Sequence, residues 1–175
     1  MMNIIIKHAV FLDFDGVLFD TVRESYCISM IALGEASEIS GIDLKSEHFQ
    51  EFCRHRYLIG PAWNYFYLIQ LISKILLDPL LDLAGMFHGA IRNPEPSKHR
   101  VFENFFFNTR KFLIDNDPGS WLSLITAYSF AENLRGLVND HPENFFLITT
   151  RDRSSALKIL RVHQLGILEK NILGG

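Results

Sequence analysis

The sequence predicts an α/β fold with a Rossmann-like parallel sheet as its core and an all-helical insertion. Two apolar runs indicate strands at residues 4–14 and 145–148, and a third strand is expected to start at residue 171. Helical periodicity follows each of the first two strands, and such alternation indicates a parallel sheet with crossover helices. Residues 21–117 keep a helical pattern throughout and are too many for one crossover, so we interpret them as an insertion.

The elements can be assigned in order along the chain. Apolar residues recur every three or four positions in four segments of the insertion, which are residues 22–33, 49–57, 63–77 and 102–112. A polar turn is expected at 115–120. Two more helices are expected, one over residues 128–138 and one with its apolar face over 156–163, capped by Asp152 or Ser154. We therefore assign the parts of the chain as core, residues 1–20 and 118–175, and helical insertion, residues 21–117.

Composition limits the classes of function. The chain has 175 residues, of which 48% are hydrophobic and 21% charged, as in one globular domain or a core with an insertion. The net charge of −3 provides no general attraction to nucleic acid. No signal peptide is evident, and the longest apolar stretch, residues 63–77, is too short and too polar to span a membrane. We therefore expect a cytoplasmic protein that binds neither nucleic acid nor membranes, with its oligomeric state left open.

Two carboxylates, those of Asp13 and Asp15, come at the end of the first apolar run, and Gly16 then allows the backbone to turn. The continuous apolar run before them predicts a strand that is buried on both faces. Charges at the end of such a strand are unfavourable unless they are paired or coordinated. A hard cation such as Mg²⁺ suits this position, because it prefers a few carboxylates together with water and phosphate oxygens. One carboxylate would remain available for attack on phosphorus, since Asp can form an aspartyl-phosphate.

The segment from Asp13 to Asp20 resembles the first motif of the haloacid dehalogenase (HAD) superfamily of phosphotransferases. The resemblance implies that Asp13 is the nucleophile and that Asp15 is the general acid and base, whose main-chain carbonyl also holds Mg²⁺. Asp13 and Asp15 are thus the metal site that it implies. An Asp at position 15 is typical of members that hydrolyse phosphate esters or act as phosphomutases.

Residues 145–151 resemble the second motif of the same superfamily, an apolar strand that ends in Thr or Ser. The resemblance places Thr149 in the catalytic group, where its hydroxyl would donate to a phosphoryl oxygen. The N–H groups at the start of the following helix would face the same anion. Thr150 and Arg151, together with Gly16, are predicted to bind substrate.

The helical insertion resembles, more loosely, the cap of a branch that includes phosphoglycolate phosphatases and β-phosphoglucomutases. In that branch an Arg-x-x-x-Gly loop faces the active site, and residues 56–60 match this pattern. The match predicts that Arg56 binds an anionic or hydroxylated part of the substrate. Ligands of parallel α/β sheets bind beyond the carboxyl ends of the strands, so an insertion after the first strand is expected to cover the site.

Residues 163–175 resemble the stretch that, in relatives, leads to a Lys and then to an acidic pair. The Lys would neutralise the nucleophile and the phosphate, and the acidic pair would complete the Mg²⁺ site. Neither motif is present, and Lys158 and Lys170 are not suited to replace the Lys. The core is therefore expected to be incomplete at its C-terminal end. A piece of a longer protein, a degenerate member and a sheet completed by another chain all stay open.

These observations predict a Mg²⁺-dependent phosphatase that acts on a small phosphorylated metabolite through an aspartyl-phosphate intermediate. Without the Lys, this chain is expected to turn over substrate weakly or not at all. A phosphomutase would use the same residues with a different acceptor. A HAD-like domain without catalysis, acting only in binding, is the alternative from another class.

Overall fold

The computed structural model describes residues 8–174, so the predicted strand residues 4–7 lie outside the described part. The chain divides into two compact units, which we call the sheet unit, residues 8–21 and 125–174, and the helical unit, Val22–Leu124. The boundaries that the sequence predicts, at 20/21 and 117/118, differ from these mainly because residues 118–123 are part of the helical unit.

The sheet unit contains a parallel sheet of three strands in the order β1-β4-β5. The strands are β1 (Val10–Asp13), β4 (Phe145–Ile148) and β5 (Ile172–Leu173). Asp13 is paired in register with Ile148, which is paired with Leu173 on its other side. The predicted α/β class with a parallel sheet is therefore confirmed.

Two short strands, β2 (Phe19–Asp20) and β3 (Thr126–Ala127), form a separate antiparallel pair. The unit also contains the helices α7 (Ser129–Asp140) and α8 (Arg153–Val162), with short 3₁₀ turns at Pro142–Asn144 and Glu169–Asn171. Helix α8 begins after Asp152, whose side chain accepts the Ser155 N–H at 2.9 Å, so Asp152 is the cap.

The two faces of the parallel sheet differ in exposure. Leu12, Phe145, Leu147 and Ile172 are buried on one face, because side chains alternate along a strand. The other face carries Phe11, Ile148 and Leu173, and each of these side chains is exposed. The prediction that the first strand is buried on both faces is therefore wrong for the described residues.

All regular elements that the structure describes within the helical unit are helices. They are α1 (Val22–Ala32), α2 (Glu47–His55), α3 (Asn64–Leu77), α4 (Leu83–Arg92), α5 (Pro96–Asn116) and α6 (Pro118–Ser123), with short 3₁₀ turns at Ile39–Gly41 and Arg56–Leu58. Local signals explain several starts: the Ser46 hydroxyl caps α2, the Asp82 carboxylate caps α4, and α5 opens with Pro96.

Aromatic rings and one ionic group lie in the core of the helical unit, together with buried aliphatic side chains such as Ile28, Leu68 and Ile72. The ring of Phe52 lies 5.0 Å from that of Tyr26 and 5.8 Å from that of Tyr65, and the Tyr65 ring stacks on Phe106 at 5.5 Å. The side chains of Glu24, Arg110 and Trp121 are also buried there. In the part of the chain that the structure describes, no helix has both the length and the hydropathy needed to cross a bilayer.

Candidate functional site

Strand β1 delivers Asp13 to the carboxyl end of the parallel sheet. Its carboxylate is exposed, and Oδ1 accepts the N–H of the next residue, the fully buried Phe14, at 2.8 Å. The chain then turns at Gly16, whose φ is +86° and whose N–H donates to the Phe19 carbonyl at 2.8 Å. This turn keeps Asp15 close to the end of the strand from which Asp13 projects.

Strand β4 brings Thr149 to the same edge. Asp13 is paired with Ile148, so Thr149 directly follows the residue that lies beside Asp13. The Thr149 N–H donates to the Leu173 carbonyl at 3.1 Å, and its buried hydroxyl accepts the Arg151 N–H at 3.0 Å. The ends of β1, β4 and β5 therefore meet at one edge of the sheet.

Gly174 closes this edge at the end of β5. Its φ is +103°, and a Cβ placed there would overlap the carbonyl group of Thr149. A side chain at position 174 would therefore push the backbone of this residue away from Thr149.

The side chain of Arg151 binds the carboxylate of Asp15. Nη2 donates to Oδ1 at 2.8 Å and Nε donates to Oδ2 at 3.4 Å, in the two-bond arrangement that suits a guanidinium and a carboxylate. The Arg151 side chain is 2% exposed, whereas that of Asp15 is 28% exposed. The guanidinium carbon also lies 5.2 Å from the centre of the Phe14 ring. The guanidinium of Arg151 therefore packs against the buried Phe14 ring on one side. It binds the partly exposed Asp15 carboxylate through its N–H groups.

Thr21 is a member of this group that the sequence reasoning missed. Its buried hydroxyl donates to Asp15 Oδ1 at 2.6 Å. Asp15 therefore accepts hydrogen bonds from Arg151 and Thr21 together. The sequence did contain a signal for this contact. Thr21 directly precedes the helix that follows Asp13 and Asp15, and a hydroxyl at such a position can turn back towards the carboxylates. The ion pair between Asp15 and Arg151 had no comparable signal, since 136 positions separate the two residues.

Thr150 is exposed in the bend between β4 and α8. Arg56 belongs to the helical unit, where its guanidinium carbon lies 5.1 Å from the centre of the Tyr65 ring. At the start of α8, the Ser155 N–H that was expected to face an anion donates to Asp152 instead.

The fit to Mg²⁺ can be judged from the oxygen atoms at the edge of the sheet. The described residues include no group of three or more His, Cys, Asp or Glu side chains that could hold a metal ion. Mg²⁺ can be held by one or two carboxylates when substrate phosphate and water supply the other ligands. The exposed Asp13 carboxylate fits this requirement. The Asp15 carboxylate is bound by Arg151 and Thr21, so only its main-chain carbonyl is suited to be a ligand.

No protein-family model, curated protein or solved structure matches the chain. A proposal for its function therefore depends on the arrangement of Asp13, Asp15, Thr149 and Arg151.

Proposed function

We propose that the chain is a HAD-like phosphatase domain that hydrolyses a small phosphate monoester through an aspartyl-phosphate on Asp13. One observation carries the proposal. Two carboxylates from the end of β1 share one edge of a parallel sheet with the hydroxyl and guanidinium groups that follow β4. Nucleophile, acid and base, hydroxyl donor and cation are the groups that phosphoryl transfer requires.

Asp13 would be the nucleophile, and two features of its side chain support this role. Its carboxylate is exposed, and the Phe14 N–H fixes Oδ1 and with it the direction of the group. In the first step the other oxygen forms a bond to phosphorus while the bond from phosphorus to the ester oxygen breaks. In the second step water attacks the same phosphorus, and Asp13 recovers its carboxylate as inorganic phosphate leaves.

Asp15 would be the general acid and base. It would protonate the departing ester oxygen in the first step and take a proton from the attacking water in the second. Thr149 and Arg151 would bind the phosphoryl oxygens, whose negative charge must be balanced next to two carboxylates. Asp13 and the Asp15 carbonyl would hold Mg²⁺, which supplies further neutralisation of phosphoryl charge when bound.

The helical unit would act as the cap of such an enzyme, and Arg56 would be its substrate-binding residue. A phosphomutase would need the same four groups at the sheet edge and a second acceptor. A binding domain without catalysis is favoured by one observation, which is that both oxygens of Asp15 already accept hydrogen bonds.

The test is hydrolysis of p-nitrophenyl phosphate and of a panel of sugar and acid phosphates with Mg²⁺, comparing the wild-type chain with Asp13→Asn. We expect slow release of phosphate by the wild type and none by the variant. Mass spectrometry of acid-quenched wild type should detect a phosphoryl group on the peptide that contains Asp13. Asp115→Asn, which removes an exposed carboxylate from α5, is the matched control and should leave the rate unchanged.

Hydrolysis that persists in Asp13→Asn would refute this role of Asp13. Phosphate binding without hydrolysis of any substrate would favour the binding domain instead.

A further inference from the structure

A cavity in the helical unit is lined by residues to which the proposed function gives no role. Its volume is about 570 Å³, which is within the range of roughly 300–1,000 Å³ for sites that bind small molecules. The lining comes from the end of α1, residues 37–40, the second half of α5 and residues 117–123. All of these residues belong to the helical unit, so the cavity is formed within that unit.

The charge of the lining is negative. Its charged side chains are those of Glu38 and Asp117, and the described residues that line the cavity include no Lys, Arg or His. Hydrogen bonds from the side chain and the main chain of Ser120 lower the pKa of Asp117, whose Oδ1 accepts the Ser120 N–H at 3.1 Å. Two carboxylates without a cation beside them in the lining favour a positively charged ligand and disfavour a phosphorylated one.

The lining also offers apolar surface. The Phe112 side chain is 63% exposed, and Ile31, Ile39 and Leu113 line the same cavity. An exposed aromatic ring attracts a cation, and aliphatic side chains suit the methylene groups of a ligand. A metal ion would leave this surface in contact with water, and the described residues include no group of three or more His, Cys, Asp or Glu side chains that could hold one. An organic cation therefore fits the lining better than a metal ion.

Polar side chains add hydrogen-bond acceptors to the same lining. Within residues 8–174, four of these side chains make no hydrogen bond to the chain, namely those of Ser37, Ser40, Asn108 and Thr109. The Glu38 side chain does not cap the 3₁₀ turn that follows it. The oxygens of these groups are therefore available to the N–H groups of a ligand.

We propose that this cavity binds an aliphatic amine. Its ammonium groups bind the carboxylates of Glu38 and Asp117, and its hydrocarbon chain packs on Phe112 and Leu113. The carboxylates select a cation, and the apolar lining distinguishes an amine from an inorganic ion. The site goes beyond the proposed function, because it lies in the helical unit and its ligand is a cation, whereas the phosphatase substrate is an anion.

The test is a calorimetric titration of the full chain with spermidine, a polyamine, at low salt and neutral pH. We expect saturable binding of spermidine. Octane-1,8-diol is a neutral chain of similar length, and it should bind at least about tenfold more weakly, since it lacks the charge that the carboxylates recognise.

Three variants examine the parts of the site. Glu38→Gln and Asp117→Ser should each weaken spermidine binding about threefold or more, as expected for the loss of one exposed charge pair. Ser at position 117 can still cap α6, so the helix keeps its start. Phe112→Ala should weaken binding by a similar factor. The matched controls are Glu35→Gln and Phe105→Ala, which remove an exposed carboxylate and an exposed ring outside the cavity and should bind like wild type.

A second measurement locates the ligand without any variant. In the wild-type chain with ¹³C-labelled isoleucine methyl groups, the resonances of Ile31 and Ile39 should move when spermidine is added. The resonance of Ile148, in the sheet unit, should stay in place. Movement of Ile148 without movement of Ile31 and Ile39 would overturn the assignment of the cavity.

Equal weakening by Glu35→Gln and Glu38→Gln would overturn the proposal, because it would show diffuse attraction to a chain of net charge −3. Octane-1,8-diol that binds as tightly as spermidine would refute the role of the carboxylates. The lack of saturable spermidine binding by wild type would refute the site. Asp13→Asn should bind spermidine like wild type, so a failure of the proposed phosphatase would leave this proposal standing.

Discussion

At the scale of single residues, Gly16 shows most clearly how local conformation serves the site. Its φ of +86° is in the left-handed region, and no heavy atom of the described residues beyond its two chain neighbours lies within 4 Å of the position that a Cβ would occupy. A Cβ at position 16 would therefore cause strain in the backbone but no overlap with those residues. Gly16 makes the turn after Asp15, and its N–H donates to the Phe19 carbonyl across that turn.

Backbone strain without steric overlap at position 16 gives a prediction. Gly16→Val should destabilise the chain by about 1–2 kcal/mol, the usual penalty for a left-handed residue with a side chain. Gly16→Asn should destabilise it less, because Asn tolerates this conformation better than a β-branched residue does. Urea unfolding of the two variants and wild type measures both effects. Equal losses for Val and Asn would contradict the conformational explanation.

The residues of the site were predictable to different degrees. Asp13, Asp15 and Thr149 follow apolar runs, and parallel strands that end at one edge bring such residues together. The partner of Asp15 was not predictable in this way. Arg151 was expected to bind substrate, but its contact with Asp15 depends on the turn at Gly16 and on the path of β4, which no local pattern encodes.

At the scale of elements, a buried ionic group joins three helices of the helical unit. Glu24 on α1 accepts the Nε–H of Arg110 on α5 at 2.8 Å and its Nη2–H at 3.2 Å. The indole N–H of Trp121 on α6 donates to the same carboxylate at 3.1 Å. Burial of a charge is unfavourable unless its partners satisfy it, so each helix depends on the other two.

We predict that Arg110→Met destabilises the chain by about 3–5 kcal/mol, because it leaves the Glu24 carboxylate buried without its cation. Adding Glu24→Gln should recover part of this loss, since Gln is uncharged and still offers an oxygen to the Trp121 N–H. Lys111→Met removes a neighbouring exposed cation and should have little effect. Unfolding in urea is the measurement. A double variant no more stable than Arg110→Met would contradict the role of the buried charge.

Long elements were predicted better than short ones. Helices α1 and α3 lie close to their predicted positions because each has a regular apolar period, and β4 matches its run of four apolar residues. Strands β2 and β3 have two residues each, which is too few to show a period. The predicted turn at 115–120 contains the start of α6, where the Asp117 carboxylate accepts the Ser120 N–H and caps a short helix.

At the scale of the whole molecule, each unit contains a histidine whose environment opposes protonation. Burial, the largest cause, lowers the pKa of His48 in the helical unit, where its Nδ1 lies 3.0 Å from the Tyr26 hydroxyl. Burial and the nearby Arg135 lower the pKa of His163 in the sheet unit, where its ring packs on Phe19. In both units the folded chain therefore favours the neutral imidazole.

The sign of the pH dependence follows from this preference. An unfolded chain has the usual histidine pKa of 6.5, so it takes up protons at a higher pH than the folded chain does. The stabilisation by neutral His48 and His163 is therefore fully present above about pH 6.5 and is lost as the pH falls below that value.

We predict a lower urea midpoint near pH 5 than near pH 7, and a smaller difference between the two midpoints in His48→Gln and in His163→Gln. His88→Gln, at an exposed position of α4, should keep the wild-type difference. A midpoint that rises on acidification, or a difference that survives in the double variant His48→Gln/His163→Gln, would show that other groups control stability in this range.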